Sequence, residues 1–147
     1  MIRTTMCLCR ECRIEVEGDP AASALCSCDN CKRRTGAATS WSVYFRDEQV
    51  LKREGPLTAF ARDPGLPPGA SWFCATCGST LCWKGEGGPL PGHTGFAAGC
   101  FNDPTLPVPT AAMNCAQAMP WAVFPPDCAL FAQLPAGVPD PLCLETR

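Results

Sequence analysis

Residues 74–78 read Cys74-Ala-Thr-Cys77-Gly78, and residues 7–9 read Cys7-Leu-Cys9. A CxxC pair followed at once by glycine has the form of a metal-binding knuckle. The backbone must turn tightly after the second cysteine, and glycine tolerates the positive φ such a turn asks for. A CxC pair is tighter than the usual spacing and says little alone. Set against the CxxCG, it supplies the missing half of a four-thiolate site. Four thiolates around zinc form a closed tetrahedron that contributes folding free energy. The spacing therefore predicts a structural zinc on Cys7, Cys9, Cys74 and Cys77, joining two hairpins far apart in the chain.

A third cluster, CSCDNC at 26–31, offers Cys26, Cys28 and Cys31 and no evident fourth ligand. Three protein ligands with one open position is the layout of a catalytic zinc. A thiol substrate suits the open position, because soft sulfur suits this metal. Lys32, Arg33 and Arg34 follow directly and offset the negative charge of three thiolates or hold a substrate carboxylate. Other readings stay open: inert thiols, a labile metal site without turnover, or a redox pair activated by neighbouring cations.

The chain has 147 residues and a formal charge of −2, which predicts one domain without a nucleic-acid footprint. Sixteen prolines work against long helices, because proline inside a helix removes a hydrogen bond and clashes with the preceding turn. Thirteen cysteines raise the possibility of a disulfide scaffold. The segment MIRTTMCLCREC carries no apolar run of the signal-peptide kind. CxC and CxxC spacings then read as thiolate ligands in a reducing compartment, so the expected location is cytoplasmic. Residues 104–126 carry no charge, yet six prolines rule out a membrane-spanning helix. They read as extended chain over a surface.

Short β-forming runs separated by Gly/Pro turns predict strands at 12–17, 40–45, 50–53, 57–62, 71–74, 79–84 and 94–101. Residues 21–26 are a short apolar run, and one or two helical turns follow Asn30. The loops fall at 63–69 and 85–92, and a proline-rich tail begins at 135. The fold class is mainly β, a small zinc-stapled β-sandwich or tent of short strands with little helix, over residues 1–134.

The ordered motifs CxC, CxCxxCRRxxGA (CSCDNCKRRTGA here), FCxxCGSxL, AAGCFNDP and PWAVF resemble the glutathione-dependent formaldehyde-activating enzyme and centromere protein V family. The resemblance implies a β-rich fold. It implies a structural zinc on Cys7, Cys9, Cys74 and Cys77 and a second zinc on Cys26, Cys28 and Cys31. The founding reaction joins glutathione to formaldehyde. Two positions depart from the pattern: Arg10 stands where a glycine usually follows CxC, and MNCAQAM, before Pro120-Trp121, holds no histidine.

The expected function is a zinc-dependent carbon–sulfur lyase-type enzyme with Cys26, Cys28 and Cys31 as its catalytic centre, acting on a small thiol such as glutathione or on its aldehyde adduct. No nucleic-acid or membrane partner is expected. The alternative is a non-catalytic zinc-stapled module that binds a protein. Proton transfer falls to water, Asp29 or Thr35. Cys12, Cys82, Cys100, Cys115, Cys128 and Cys143 read as small core hydrophobes. His93 reads as a loop residue outside the chemistry, and Trp41, Trp72, Trp83 and Trp121 as core or site-wall aromatics. Gly99 reads as a bulge or a close backbone approach.

Overall fold

The computed structural model describes residues 1–61, 69–85 and 90–133. The tail expected from residue 135, Cys143, and most of the loops at 63–69 and 85–92 lie outside them. The described chain is mainly β, with eleven short strands, one α-helix and three 3₁₀ turns. It divides into two compact units. The first comprises Met1–Ala21 and Val43–Leu106, the second Ala22–Ser42 and the chain from Pro107 onward. Among the described residues, no helix is long and apolar enough to cross a membrane.

In the first unit, β1 (Ile2–Met6), β2 (Arg13–Glu17) and β5 (Val50–Glu54) form an antiparallel sheet in the order β1-β2-β5. Strand β2 alternates as its sequence RIEVE demands: Ile14 and Val16 are buried while Arg13 and Glu17 face solvent. A second sheet runs through β4 (Ser40–Arg46), β9 (His93–Ala97), β8 (Thr80–Gly85), β7 (Gly69–Cys74) and β6 (Leu57–Ala61). Residues 43–46 of β4 belong to this unit. Phe45, Phe96 and Phe101 pack together with ring centroids 5.8–5.9 Å apart, two of the three pairs edge to face. Each such contact is worth about 1 kcal/mol beyond its buried area. Gly95 makes room for Trp83 and Tyr44, because a Cβ there would lie 2.4 Å from Trp83 Nε1 and 2.9 Å from the Tyr44 ring.

The strand expected over 94–101 stops at Ala97. Residues Ala98–Phe101 form a 3₁₀ turn, closed by Asn102 in the left-handed region at φ 48°. Gly99 is neither a bulge nor a close approach: its φ is not positive and nothing lies within 4 Å of an added Cβ. The turn delivers Asp103 to Arg3, whose buried guanidinium also donates to Asp19 Oδ1 (2.7 Å), Thr105 Oγ1 (2.8 Å) and the Gly18 carbonyl (3.2 Å).

The second unit holds three parallel strands, β3 (Ala22–Cys26), β10 (Ala111–Met113) and β11 (Ala129–Leu130), with β10 in the middle. Its core is Leu25, Ala112, Cys115 and Cys128, with Trp41, Phe124 and Leu130 against it. The chain from 104 to 126 was expected to be extended surface throughout. It is so only in part: Val108, Trp121 and Val123 are exposed, yet Ala112 and Cys115 are core residues. Trp121, 72% exposed, is neither core nor wall. The other three tryptophans are buried or half-buried as expected.

Candidate metal centres

In the first unit, strand β1 ends where the turn carrying Cys7 and Cys9 begins. The Arg10 N–H donates to the Cys7 carbonyl (3.0 Å) and the Cys12 N–H donates to Cys7 Sγ (3.2 Å). Strand β7 ends on Cys74 and turns through Gly78, whose φ is +75° and whose N–H donates to the Cys74 carbonyl (2.9 Å). The glycine after CxxC therefore has the conformation that the motif predicts. Ser79 links the two knuckles: its hydroxyl accepts from the Leu8 N–H (3.1 Å) and lies 3.3 Å from Cys77 Sγ.

The four sulfurs of Cys7, Cys9, Cys74 and Cys77 lie within 4.8 Å of one another, with Cys7–Cys9 at 3.5 Å and Cys9–Cys74 at 3.6 Å. Thiolates on a shared tetrahedral zinc are separated by roughly 3.8 Å, as Zn–S bonds of about 2.3 Å require. The donor set and its spacing fit such an ion. The thiols differ in readiness. Cys77 is held down at about 5, first by the Ser79 hydroxyl. The neighbouring Cys12 is pushed up to about 12, first by burial, so it stays a protonated core thiol.

In the second unit, the CSCDNC stretch forms the end of β3 and the start of a short helix, α1 (Asp29–Thr35). Cys28 is its N-cap, and its sulfur accepts from the Cys31 N–H at 3.4 Å, as a serine hydroxyl does at this position. Asp29 occupies the first turn and Lys32, Arg33 and Arg34 the last, both favourable to the helix dipole. Gly36 closes the helix at φ 67°. This local chemistry brings the sulfurs of Cys26, Cys28 and Cys31 within 4.8 Å of one another, all half-buried. Three soft donors, with no fourth His, Cys, Asp or Glu joining the group among the described residues, can hold a thiophilic metal and leave one position open. Cys26 is lowered to about 5, chiefly by the hydrogen bond from Cys31, whose own thiol is pushed up by that same bond and by burial.

The basic run is largely committed. Lys32 Nζ reaches Asp29 (3.1 Å) and the Gln117 carbonyl (2.6 Å). Arg34 Nη2 donates to Ser40 Oγ (2.9 Å) and approaches Cys31 Sγ (3.9 Å). Only Arg33 is exposed among the three.

Sequence reasoning missed two neighbours. Asn114 Nδ2 donates to Cys26 Sγ (3.3 Å), and Gln117 Oε1 accepts from the Asp29 N–H (3.1 Å). Both belong to the MNCAQAM segment, 88 residues beyond the Cys26 and Asp29 groups they meet. The left-handed preference of Asn in Met-Asn-Cys is the one local signal, and Asn114 does sit at φ 55°. A cavity of about 300 Å³ beside this segment is lined by Cys115, Ala118, Phe124, Cys128 and others, but by none of the three site thiols. His93 lies in the first unit, where its Nδ1 pairs with the Pro91 carbonyl (2.8 Å).

No individual curated protein matches the chain. The family model described as glutathione-dependent formaldehyde-activating enzyme matches residues 2–117, a span containing all seven of these cysteines together with Asn114 and Gln117. With that match over most of its length, the chain belongs to the glutathione-dependent formaldehyde-activating enzyme family.

Proposed function

We propose that the protein is a zinc-dependent carbon–sulfur lyase-type enzyme acting on a small thiol or its aldehyde adduct, with glutathione and formaldehyde as the type pair. One observation carries this reading: the seven cysteines sort into a group of four and a group of three. Four thiolates complete a zinc shell, and three leave a place for a substrate.

Cys7, Cys9, Cys74 and Cys77 would hold a structural ion, and Cys26, Cys28 and Cys31 a second, labile one. When bound at the second site, zinc supplies an open position that favours a thiol in its ionised form. The protein's own groups do the rest. Cys28 caps the helix and so fixes the spacing between Cys26 and Cys31. Arg34, beside Cys31, tempers the charge of three thiolates. Arg33, exposed on the last turn of α1, is the cation left to meet a substrate carboxylate.

In the forward direction a carbon–sulfur bond forms between thiol and aldehyde, and the thiol proton ends on the former carbonyl oxygen. The reverse reaction breaks that bond and returns the proton. Thr35 is a poor carrier for it, because its hydroxyl donates to the Cys31 carbonyl (2.8 Å) and accepts from the Ala37 N–H (3.3 Å). Asp29, exposed and paired with Lys32, and solvent are left to move the proton.

Metal analysis of the purified protein followed by glutathione titration tests the proposal. Two zinc ions per chain, one of them perturbed by thiol, is the expected result. A single tightly held ion indifferent to thiol would overturn it and favour a protein-binding module stapled by one metal.

A further inference from the structure

We propose that Asn114 is the positioning residue of the three-thiol cluster: its carboxamide N–H holds the Cys26 sulfur in place and draws charge from it. The inference rests on that cluster being a metal site.

Each of the three sulfurs meets at least one hydrogen-bond donor. Cys28 Sγ takes the N–H of Cys31, three residues on, and Cys31 Sγ is approached by Arg34, also three residues on. Cys26 differs. It precedes the helix, and besides the local Cys31 thiol and Cys28 N–H it meets a donor from a remote segment, Asn114 Nδ2, at 3.3 Å.

The backbone explains how that side chain arrives. Met113 pairs with Cys26 in the parallel β3–β10 ladder, and the Ser27 N–H donates to the Met113 carbonyl (3.0 Å). The next residue leaves the strand in the left-handed region, at φ 55° and ψ 38°. Few side chains accept that conformation, and asparagine is one of them. The same residue type thus satisfies the turn and supplies the donor.

The support is firm on the far side as well. Gln117 ends the 3₁₀ turn that Asn114 opens, and it is tied to α1 twice, through the Asp29 N–H and through Lys32 Nζ. A donor so anchored fixes the sulfur rather than following it. A hydrogen bond to a thiolate lowers its electron donation, which leaves a bound divalent ion readier to accept a fourth ligand. Removing a hydrogen-bond partner of a metal ligand typically costs about 10–100-fold in metal affinity.

The test uses the full chain loaded with cobalt(II), comparing wild type with Asn114→Gly, which keeps the left-handed turn and removes the donor. Two ions are expected in each protein. In the variant, the weaker site should lose about tenfold in affinity, and its sulfur-to-cobalt charge-transfer band should move to lower energy. The tighter site should be unchanged, which also reports that the variant is folded. An unchanged weaker site in a protein holding two ions overturns the role of Asn114 alone. One ion in wild type overturns it together with the reading beneath it. A measurement on wild type needs no variant at all: with cadmium-113 bound, one asparagine carboxamide proton should show scalar coupling to the metal through the N–H···S bond. A cadmium-loaded protein in which no carboxamide proton is so coupled overturns the proposal.

Discussion

The two thiol clusters are built in opposite ways. The quartet takes two cysteines from the end of β1 and two from the end of β7, 65 residues further on, and two of the four are buried. The trio comes from six consecutive residues, caps its own helix, and leaves all three sulfurs half-buried. The first arrangement closes a long loop of chain and has no vacancy for a ligand. The second draws all its sulfurs from one stretch of chain, and hydrogen bonds from residues 113–117, one of them to the Cys26 sulfur, tie it to a remote segment. A metal in the quartet would therefore be worth most to folding, and a metal in the trio most to binding. Ligand count decides the coordination that is possible, and sequence separation decides what the metal does for the chain.

Cys74→Ser should break this comparison with the largest effect. Structural zinc contributes on the order of 10 kcal/mol to small folds, so the variant should fail to give a cooperative melt by circular dichroism. A wild-type melt would show that Cys74 is not a ligand.

Acid titration comes next. Ligating sulfurs must be deprotonated, so falling pH favours the thiol form and expels the metal, while rising pH favours retention. The three-ligand site should empty at a higher pH than the four-ligand site. A chromophoric chelator should therefore register two steps, the first without loss of secondary structure. One merged step accompanied by unfolding would show the sites to be equivalent.

Cys28→Ser should have little effect on stability and a large one on binding. Serine is a good N-cap, so α1 should persist and the melting temperature should hold. With one of three ligands lost, the thiol-responsive ion should no longer bind. Cys28→Ala removes the cap as well, costing about 1 kcal/mol more. Equal stability of the two variants would mean that the sulfur does not cap the helix.

What the sequence made legible was local. CSCDNC, CLC and CATCG each fold by turn and cap chemistry written within a few residues, and β2 and β4 to β8 follow from their own alternation and β-branched content. Strand β1 (IRTTM) escaped notice because no turn residue precedes it to mark a start. Strand β10 escaped because Ala111-Ala112-Met113 has weak β propensity. It is a strand because β3 and β11 flank it. Asn114 and Gln117 were hidden for the same reason: their meeting with the trio depends on a parallel pairing that nothing near them announces. The 3₁₀ turn Ala98–Phe101 likewise ended a strand that Thr94 to Ala97 had begun well.

Arg10 gives the smallest and sharpest test, because it lies inside the quartet's first knuckle. It is one of three described non-glycine residues with positive φ, at 67°, and the family pattern has glycine there. Holding an L residue in this region costs roughly 1–2 kcal/mol. Glycine would relieve that cost but enlarge the freedom of the unfolded chain, an opposing effect of about 0.4–1 kcal/mol. Strain relief is the larger, so Arg10→Gly should stabilise the protein by about 0.5–1 kcal/mol in urea denaturation. Arg10→Ala removes the same exposed charge yet keeps the strain, and should leave stability near wild type. If both variants gain equally, the guanidinium and not the backbone was the burden. If only glycine gains, the chain carries a strained turn next to Cys9, and the four-sulfur site is held together firmly enough to keep it.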